Sequence, residues 1–461
     1  MIKDQYDVII IGAGPAGIFA ALELTKKRKL SVLILEKGPS IERRRCAMQD
    51  NRGPCRRCSP CAILTGWGGA GAFSDGKLTL TPDFGGFLSE YMDKPSLEEL
   101  IRYVDGVYLS FGASETLFGT DQEEIGRLQR LAAAANLSLV PARIRHLGTE
   151  NCYQVLVKMC RALEGKAEIA TGTSVEEIVA SSGRVAGVKL SDGREIRSRC
   201  VICGPGRAGA EWFQRESVRL GLPGANNPVD IGVRVEVPAV LMEHLTRVVY
   251  EPKLVYYSRS FDDRIRTFCM NPYGIVVTEH NNGLVTVNGH SYAGKGSENT
   301  NFALLVSKTF TEPFNEPICY GKNIAGLANM LGGGVIVQRL GDLQRGRRST
   351  AERIARGLTR PTLAEATPGD LSLVLPYRHL VGIMEMLEAL DKLAPGVNSQ
   401  HTLLYGVEVK FYSYRLKLSS SLETELENLF AVGDGAGVTR GLVQASASGV
   451  VAAREILKRY S

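Results

Sequence analysis

No apolar run in this 461-residue sequence approaches the roughly 18 residues that a membrane-spanning helix requires. The opening MIKDQYDVIII lacks a signal-peptide layout, because its apolar run is short and leads straight into a glycine turn. A cytoplasmic location with no membrane span is therefore expected. Internal repeats and low-complexity stretches are absent. So are serine–histidine–acid and HExxH patterns, which removes the common hydrolase signatures. The formal charge of +6 is mildly basic and spread out; it favours an anionic ligand but provides no dense stripe for nucleic acid. Length points to two interleaved domains rather than one simple core.

What the chain does have begins at Tyr6. The segment YDVIIIGAGPAG (6–17) joins an apolar β-branched strand to a glycine turn, and Glu36 follows 24 positions after Gly12, at the end of SVLILE. In this pattern Gly12 permits the tight turn, Gly14 lets backbone approach a pyrophosphate, and Gly17 lets the next helix pack on the sheet. That helix, opening at Pro15 and Ala16, aims its N–H groups and positive dipole end at the phosphates. Glu36, with Lys37 beside it, can accept hydrogen bonds from a ribose diol. A bound dinucleotide is expected.

Near the other end, LENLFAVGDGAGVTRGLVQASASGVVAAREILKRY reads as a short buried strand (429–432), a glycine turn and an amphipathic helix (443–458). In the turn, Gly433 and Asp434 can hold a ribityl or ribose hydroxyl, while amides near Gly441 and Leu442 face a phosphate or a flavin carbonyl. GAGPAG and Glu36 paired with GDGAG resemble flavoproteins of the glutathione-reductase-like superfamily, which implies FAD rather than NAD. Four further segments carry a closer likeness: GWGGAGAFSDGKLTL from Gly66, VICGPGRAGAEW from Val201, PVDIGVRVEVP from Pro228 and LLYGVEVKFYS from Leu403. In these the chain is similar to a family of FAD-dependent dehydrogenases related in fold to geranylgeranyl reductases and aromatic hydroxylases. The resemblance implies that Gly69, Ala70, Ser74, Asp75 and Lys77 run alongside the flavin and its pyrophosphate, and that Gly204 packs near it. It implies no substrate.

The fold implied is α/β: a Rossmann-like FAD-binding domain with an accessory β-meander, plus an α+β substrate domain. Residues 1–220 supply the first part of the cofactor domain, 221–400 the substrate or cap domain, and 401–461 the C-terminal part of the cofactor domain. Ser96-x-x-Glu99 and Thr120-x-x-Glu123 read as capping boxes, so 95–136 is expected to be mostly helical, as is 151–163. Residues 167–203 read as a meander with turns at Ser182-Gly183 and Asp192-Gly193. Gly204, Gly206 and Gly209 do not open a second fingerprint, because no strand with a terminal acid follows; a separate NAD(P) domain is not expected. In the second domain, 231–237, 274–278 and 284–289 read as strands, 302–309 and 380–393 as helices, and 341–368 as a flexible excursion.

Cys46, Cys55, Cys58 and Cys61 are spaced C-x8-C-x2-C-x2-C. Such thiols can converge on an iron–sulfur cluster or on zinc, act as a redox pair with the flavin, or be unrelated reduced thiols. Arg52, Arg56 and Arg57 would lower their pKa values. Cys152, Cys160, Cys200, Cys203, Cys269 and Cys319 are scattered on apolar segments and read as core packing.

For catalysis, VEVKFYSYR places Glu408, Lys410 and Tyr412 on one face of a strand, where a lysine can stabilise negative charge on the reduced flavin or on a substrate carboxylate. His290, in NGHSY, and His146, in RIRHLG, are the histidines read as entering a polar pocket. Arg339, Arg345, Arg347 and Arg348 can bind an anionic substrate or the acidic surface of a redox partner. The expected function is an FAD-dependent dehydrogenase or reductase of an unidentified small molecule. NAD(P)H or ferredoxin would serve as transient electron donor, with a relay through the cysteines if they hold a cluster. The alternatives are a monooxygenase of the aromatic-hydroxylase type, weakened because GPGRAG lacks that group's aspartate–glycine signature, and an electron-transfer or redox-sensing flavoprotein.

Overall fold

A computed structural model of the protein describes residues 2–26, 30–46, 58–74, 76–281, 283–291 and 296–460. The chain divides into two units. One comprises Met1–Thr116, Arg145–Asn227 and Ser413–Ser461; the other comprises Leu117–Ile144 and Pro228–Tyr412. Compared with the expected 221–400, the second unit is shifted and gains Leu117–Ile144. The strand Ser138–Val140 accounts for the gain, because it pairs antiparallel with Lys253–Tyr257 at the edge of that unit's sheet.

In the first unit, parallel strands run in the order Glu168–Thr171, Val32–Glu36, Gln5–Ile11, Glu195–Cys203, and Leu429–Ala431 adds on beyond the last. Ile9 and Ile10 lie between Leu33 and Ile34 on one side and Val201 and Ile202 on the other, all fully buried. Strands covered on both faces need no polar alternation, which is why VIII is apolar throughout. Glu195–Cys203 serves two neighbours. Its first residues pair antiparallel with Arg184–Leu190 of the meander, and its last three pair parallel with Leu429–Ala431. Residues 168–171, expected in the meander, instead join the parallel sheet, since the helix Thr149–Leu163 before them supplies the crossover a parallel strand requires.

The helices of 95–136 are present as Lys94–Ser110 and Gln122–Ala134, but their caps are Asp93 and Asp121 rather than Ser96 and Thr120. A carboxylate accepting from first-turn amides also complements the helix dipole, so the aspartates win.

The second unit is built on an eight-stranded sheet ordered Thr367–Pro368, Ile336–Arg339, Leu403–Lys410, Val229–Pro238, Asn299–Lys308, Arg264–Asn271, Lys253–Tyr257 and Ser138–Val140. In the central strand, Val229, Ile231, Val233, Val235 and Val237 pack into a core with the helices Gln122–Ala134, Glu243–Val249, Pro317–Gly332 and Tyr377–Leu393. Burying each such side chain is worth about 1.5–3 kcal/mol. The alternate positions, Asp230, Arg234 and Glu236, are buried on the opposite face, which the hairpin Ile275–Asn281 and Leu284–His290 covers in part. Buried charges are costly unless paired, so that face must be a network.

Two expectations fail here. Residues 302–309 are not a helix: Asn299–Lys308 is a strand between Val229–Pro238 and Arg264–Asn271. Both of its faces are buried, and such a run is apolar without alternation, so its periodicity cannot separate it from a core helix. The 341–368 stretch is folded around buried Asp342, which pairs with Arg347 at 2.8 Å and with Arg353 at 3.3 Å. Arg345 donates to Gly341 O at 2.8 Å, and Arg339 lies 3.4 Å from His401 Nδ1. Three of the four arginines read as a docking surface thus have internal partners.

Candidate functional site

The turn after Gln5–Ile11 holds Gly12 at φ +97°, and a Cβ there would lie 2.2 Å from Gly204 O. Gly14 is the opposite case, since a Cβ would meet nothing within 4 Å. Gly14 is also the N-cap of Pro15–Leu24, and no side chain caps it. The first-turn amides, those of Ala16 and Gly17 among them, thus keep the anion-binding character of a helix N-terminus.

Glu36 is buried at the end of its strand. Its Oε2 accepts from Ala13 N at 2.9 Å, and its Oε1 accepts from Gly38 N and Gly66 N, each at 2.8 Å. These fill three of the roughly four acceptor positions of a carboxylate. Glu36 therefore clasps the glycine turn to the 65–69 loop, and one position remains for a ribose hydroxyl. Lys37 Nζ donates to Ala208 O at 3.0 Å, and burial lowers its pKa.

Arg44 is a residue that sequence reasoning missed. It is 5% exposed, and its guanidinium donates to Ala62 O, Ile63 O, Gly66 O, Trp67 O and Gly69 O, the shortest at 2.6 Å to Trp67 O. It also stacks on Phe73 at 4.8 Å. Burial, opposed by the Glu36 and Cys61 charges, lowers it to about 10. Nothing in ERRRC distinguishes Arg44 from its neighbours; only the fold selects it.

The loop held by Arg44 reaches the glycine turn, where Gly68 N donates to Ala13 O at 2.8 Å. Gly69 and Ala70 open the short helix Gly69–Phe73, and Ser74 closes it with its Oγ on Gly71 O at 2.8 Å. Asp75 lies outside the described residues; Lys77 begins the strand Lys77–Thr79. At the C-terminal turn, Ser448 Oγ accepts from Gly433 N at 3.0 Å, and Thr439 Oγ1 donates to Asp434 Oδ1 at 2.6 Å. Burial pushes the Asp434 carboxyl up, against Thr439, Arg207 and Arg440. Gly441 precedes the helix Leu442–Tyr460, and Leu442 packs 2.6 Å from where a Cβ on Gly71 would stand. Segments far apart in sequence thus converge within the first unit. The open face of Gly14, the uncapped helix and the spare Glu36 acceptor fit the diphosphate and ribose of FAD.

Cys46, Cys58 and Cys61 are free thiols, and Cys55 lies outside the described residues. Among the described residues no three His, Cys, Asp or Glu side chains gather to hold a metal, so the iron–sulfur and zinc readings gain no support. Cys319, read as core, is exposed.

In the second unit the polar face of the sheet is organised in rows. Asn301 stands between Asn271 and Glu236; Ala303 between Phe268 and Arg234; Leu305 between Arg266 and Gly232; and Asp230 between Ser307 and Lys410. Arg234 Nε and Nη2 donate to Glu408 at 2.7 and 2.8 Å, and Lys410 Nζ lies 3.0 Å from Glu408 Oε1 and 3.6 Å from Glu279 Oε2. Asp230 Oδ2 accepts from Arg266 Nη2 and Tyr412 OH, both at 2.5 Å. Lys253 is pushed down to about 7 by burial and then by the Arg266 charge. Glu236, its carboxyl raised by burial, accepts from Tyr405 OH and Thr362 Oγ1, both at 2.5 Å.

Of the residues read as catalytic, Glu408 and Lys410 are thus brought into contact. His290 lies half-buried at the end of the hairpin, opposite Ile275 and on the same strand face as Asn288, which donates to Glu279 at 3.0 Å. Arg234, Arg266, Asp230 and Glu279 were not singled out from sequence. The alternation D-x-G-x-R-x-E from Asp230 was the available signal for two of them.

Comparison with known proteins agrees with this division. Residues 7–44 match the family described as FAD binding domain, and residues 228–411 match FAD-dependent protein, C-terminal domain-like. An uncharacterized protein of Clostridium beijerinckii is 25% identical, covering 98% of this chain and 81% of its own. Digeranylgeranylglycerophospholipid reductase 1 of Methanococcoides burtonii is 59% identical over 46 residues, 10% of this chain and 11% of that protein. Among solved structures, L-proline dehydrogenase from P. horikoshii aligns at a TM-score of 0.42 with 12% identity, covering 99% of this chain and 95% of that one. A quinol-fumarate reductase aligns at 0.44 with 14% identity, covering 100% and 72%. No helix among the described residues is long and apolar enough to cross a membrane.

Proposed function

We propose that this FAD-dependent oxidoreductase acts as a dehydrogenase or reductase on a small organic molecule, handled by the polar face of the second unit's sheet. The observation that carries the reading is the glycine turn. Gly14 faces open space at an uncapped helix N-terminus, beside a carboxylate with one acceptor site to spare. When bound, FAD supplies the two-electron chemistry. The chain's own part is positioning. Amides of the Pro15–Leu24 helix hold the diphosphate, Glu36 and Asp434 hold hydroxyls of the sugar and ribityl chain, and Arg44 fixes the loop between them.

Lys410 is the group offered to substrate negative charge. Glu408, taken up by Arg234 and Lys410, orients that lysine rather than moving a proton itself. His290 is the remaining candidate for proton transfer. The donor, NAD(P)H or ferredoxin, is identified by following flavin bleaching with each under anaerobic conditions.

The test of the whole reading is the flavin. Purified protein should be yellow, or become so with added FAD, and heat should release FAD at one per chain. Folded protein that stays colourless sinks it. Iron, zinc and acid-labile sulfide analysis tests the cysteine run; a stoichiometric cluster would add a one-electron relay, and stoichiometric zinc a structural clip.

A further inference from the structure

We propose that Arg266 and Lys410 form a recognition site for the carboxylate of a monoanionic substrate, on the polar face of the eight-stranded sheet. Arg266 is the starting point. Its side chain is 5% exposed, and its Nη2 is committed to Asp230 Oδ2 at 2.5 Å and Tyr412 OH at 3.0 Å. Its Nη1 is buried and has no hydrogen-bond partner among the described residues. Leaving a charged N–H without an acceptor in the interior is costly, and native structures rarely do it without a reason. A planar guanidinium with one free arm is a carboxylate receptor waiting for an oxygen.

Lys410 supplies the second donor. Its ammonium has three N–H groups, and the carboxylates at 3.0 and 3.6 Å, Glu408 and Glu279, take two of them. Both cations lie against the same aromatic ring: Arg266 Cζ is 4.7 Å and Lys410 Nζ 5.8 Å from the Phe268 centroid. Gly232 shares the Arg266 row, with Leu305 between the two, and Ala303 stands in the next row, so small residues occupy two positions of this face.

The charge count selects the class of ligand. Arg234, Arg266 and Lys410 are matched by Asp230, Glu279 and Glu408, and Lys253 near Arg266 is offset by Glu251. A dianion such as phosphate would be repelled by three nearby carboxylates, whereas a monocarboxylate has the two acceptor oxygens that two spare donors require.

The inference rests on the oxidoreductase reading only in calling the carboxylate part of a substrate, and the two are tested apart. FAD-loaded protein is titrated calorimetrically with benzoate, acetate and inorganic phosphate. Saturable binding of a monocarboxylate is expected, with phosphate at least tenfold weaker, and Arg266→Met should weaken the carboxylate at least tenfold while flavin content stays at the wild-type level. Should Arg266→Met fail to fold, Lys410→Gln carries the same expectation. Loaded protein that binds neither carboxylate, binds phosphate as well as benzoate, or binds benzoate equally after these substitutions overturns the proposal. Protein that never takes up FAD counts against the flavin reading instead.

Discussion

Arg234 and Glu408, on neighbouring strands, form a two-point ion pair: Nε to Oε2 at 2.7 Å and Nη2 to Oε1 at 2.8 Å, with neither side chain exposed. Removing Arg234 leaves buried Glu408 with Lys410, 3.0 Å away, as its remaining cation. Arg234→Met is expected to cost about 3–5 kcal/mol, and Arg234→Met with Glu408→Leu distinctly less than the single change. Urea unfolding of the two variants checks this; equal stabilities of Arg234→Met and wild type would show that the pair contributes nothing.

Glu36→Gln keeps the shape of the clasp but sets an amide NH2 against backbone donors. Charge-assisted hydrogen bonds are worth about 1.5–3 kcal/mol each, so the variant should bind FAD at least about tenfold more weakly. Titration by flavin fluorescence quenching measures the change, and an unaltered affinity would rule out the clasp.

Arg44→Met removes the cation that gathers five carbonyl oxygens. The 62–73 loop should then become sensitive to limited proteolysis, and FAD affinity should fall. A digestion pattern identical to wild type would refute the assignment.

A Cβ at Gly289 would stand 2.2 Å from Asn301 Oδ1 and 2.3 Å from both Arg234 Nη1 and Asn271 Nδ2. Those polar ends are held in a buried network and cannot step aside. Gly289→Ala is expected to destabilise by about 1–3 kcal/mol, the range for overpacking, and to weaken carboxylate binding with it. Denaturant midpoints and calorimetry read the two effects.

His379 is 1% exposed, and neither ring nitrogen has a partner among the described residues. Burial first, and then the Lys308 and Arg378 charges, hold its pKa down to about 4, against Asp263. The folded state thus binds a proton less readily than the unfolded chain, whose histidine titrates near 6.5. Its stabilising contribution is complete above about pH 6.5 and is lost as pH falls towards about 4, amounting to about 2 kcal/mol at about pH 5. His379→Leu should lose less stability than wild type between about pH 7 and about pH 5; parallel losses would refute the assignment.

The glycine turns were legible because their chemistry is local: GAGPAG and GDGAG dictate backbone shape within a few residues. The strand Asn299–Lys308 was not, since burial on both faces erases the alternation that marks a strand. Glu408 and Lys410 were found by period two, yet Arg266, which has the free donor, sits in RIRTF like any surface arginine. Its significance comes from Asp230 and Tyr412, distant in sequence and joined only by the sheet.

A Cβ on Gly449, in the last helix, would stand 1.9 Å from Ala16 O in the first, so the two helices touch backbone to backbone. Two helices at opposite ends of this sequence, Pro15–Leu24 and Leu442–Tyr460, are therefore immediate neighbours. During synthesis, Pro15–Leu24 must wait until the chain through Leu442–Tyr460 has emerged before it meets this partner. A chain stopped short of Leu442 would leave that nucleotide-binding helix with a bare flank, which makes premature termination a route to aggregation rather than to a smaller working protein.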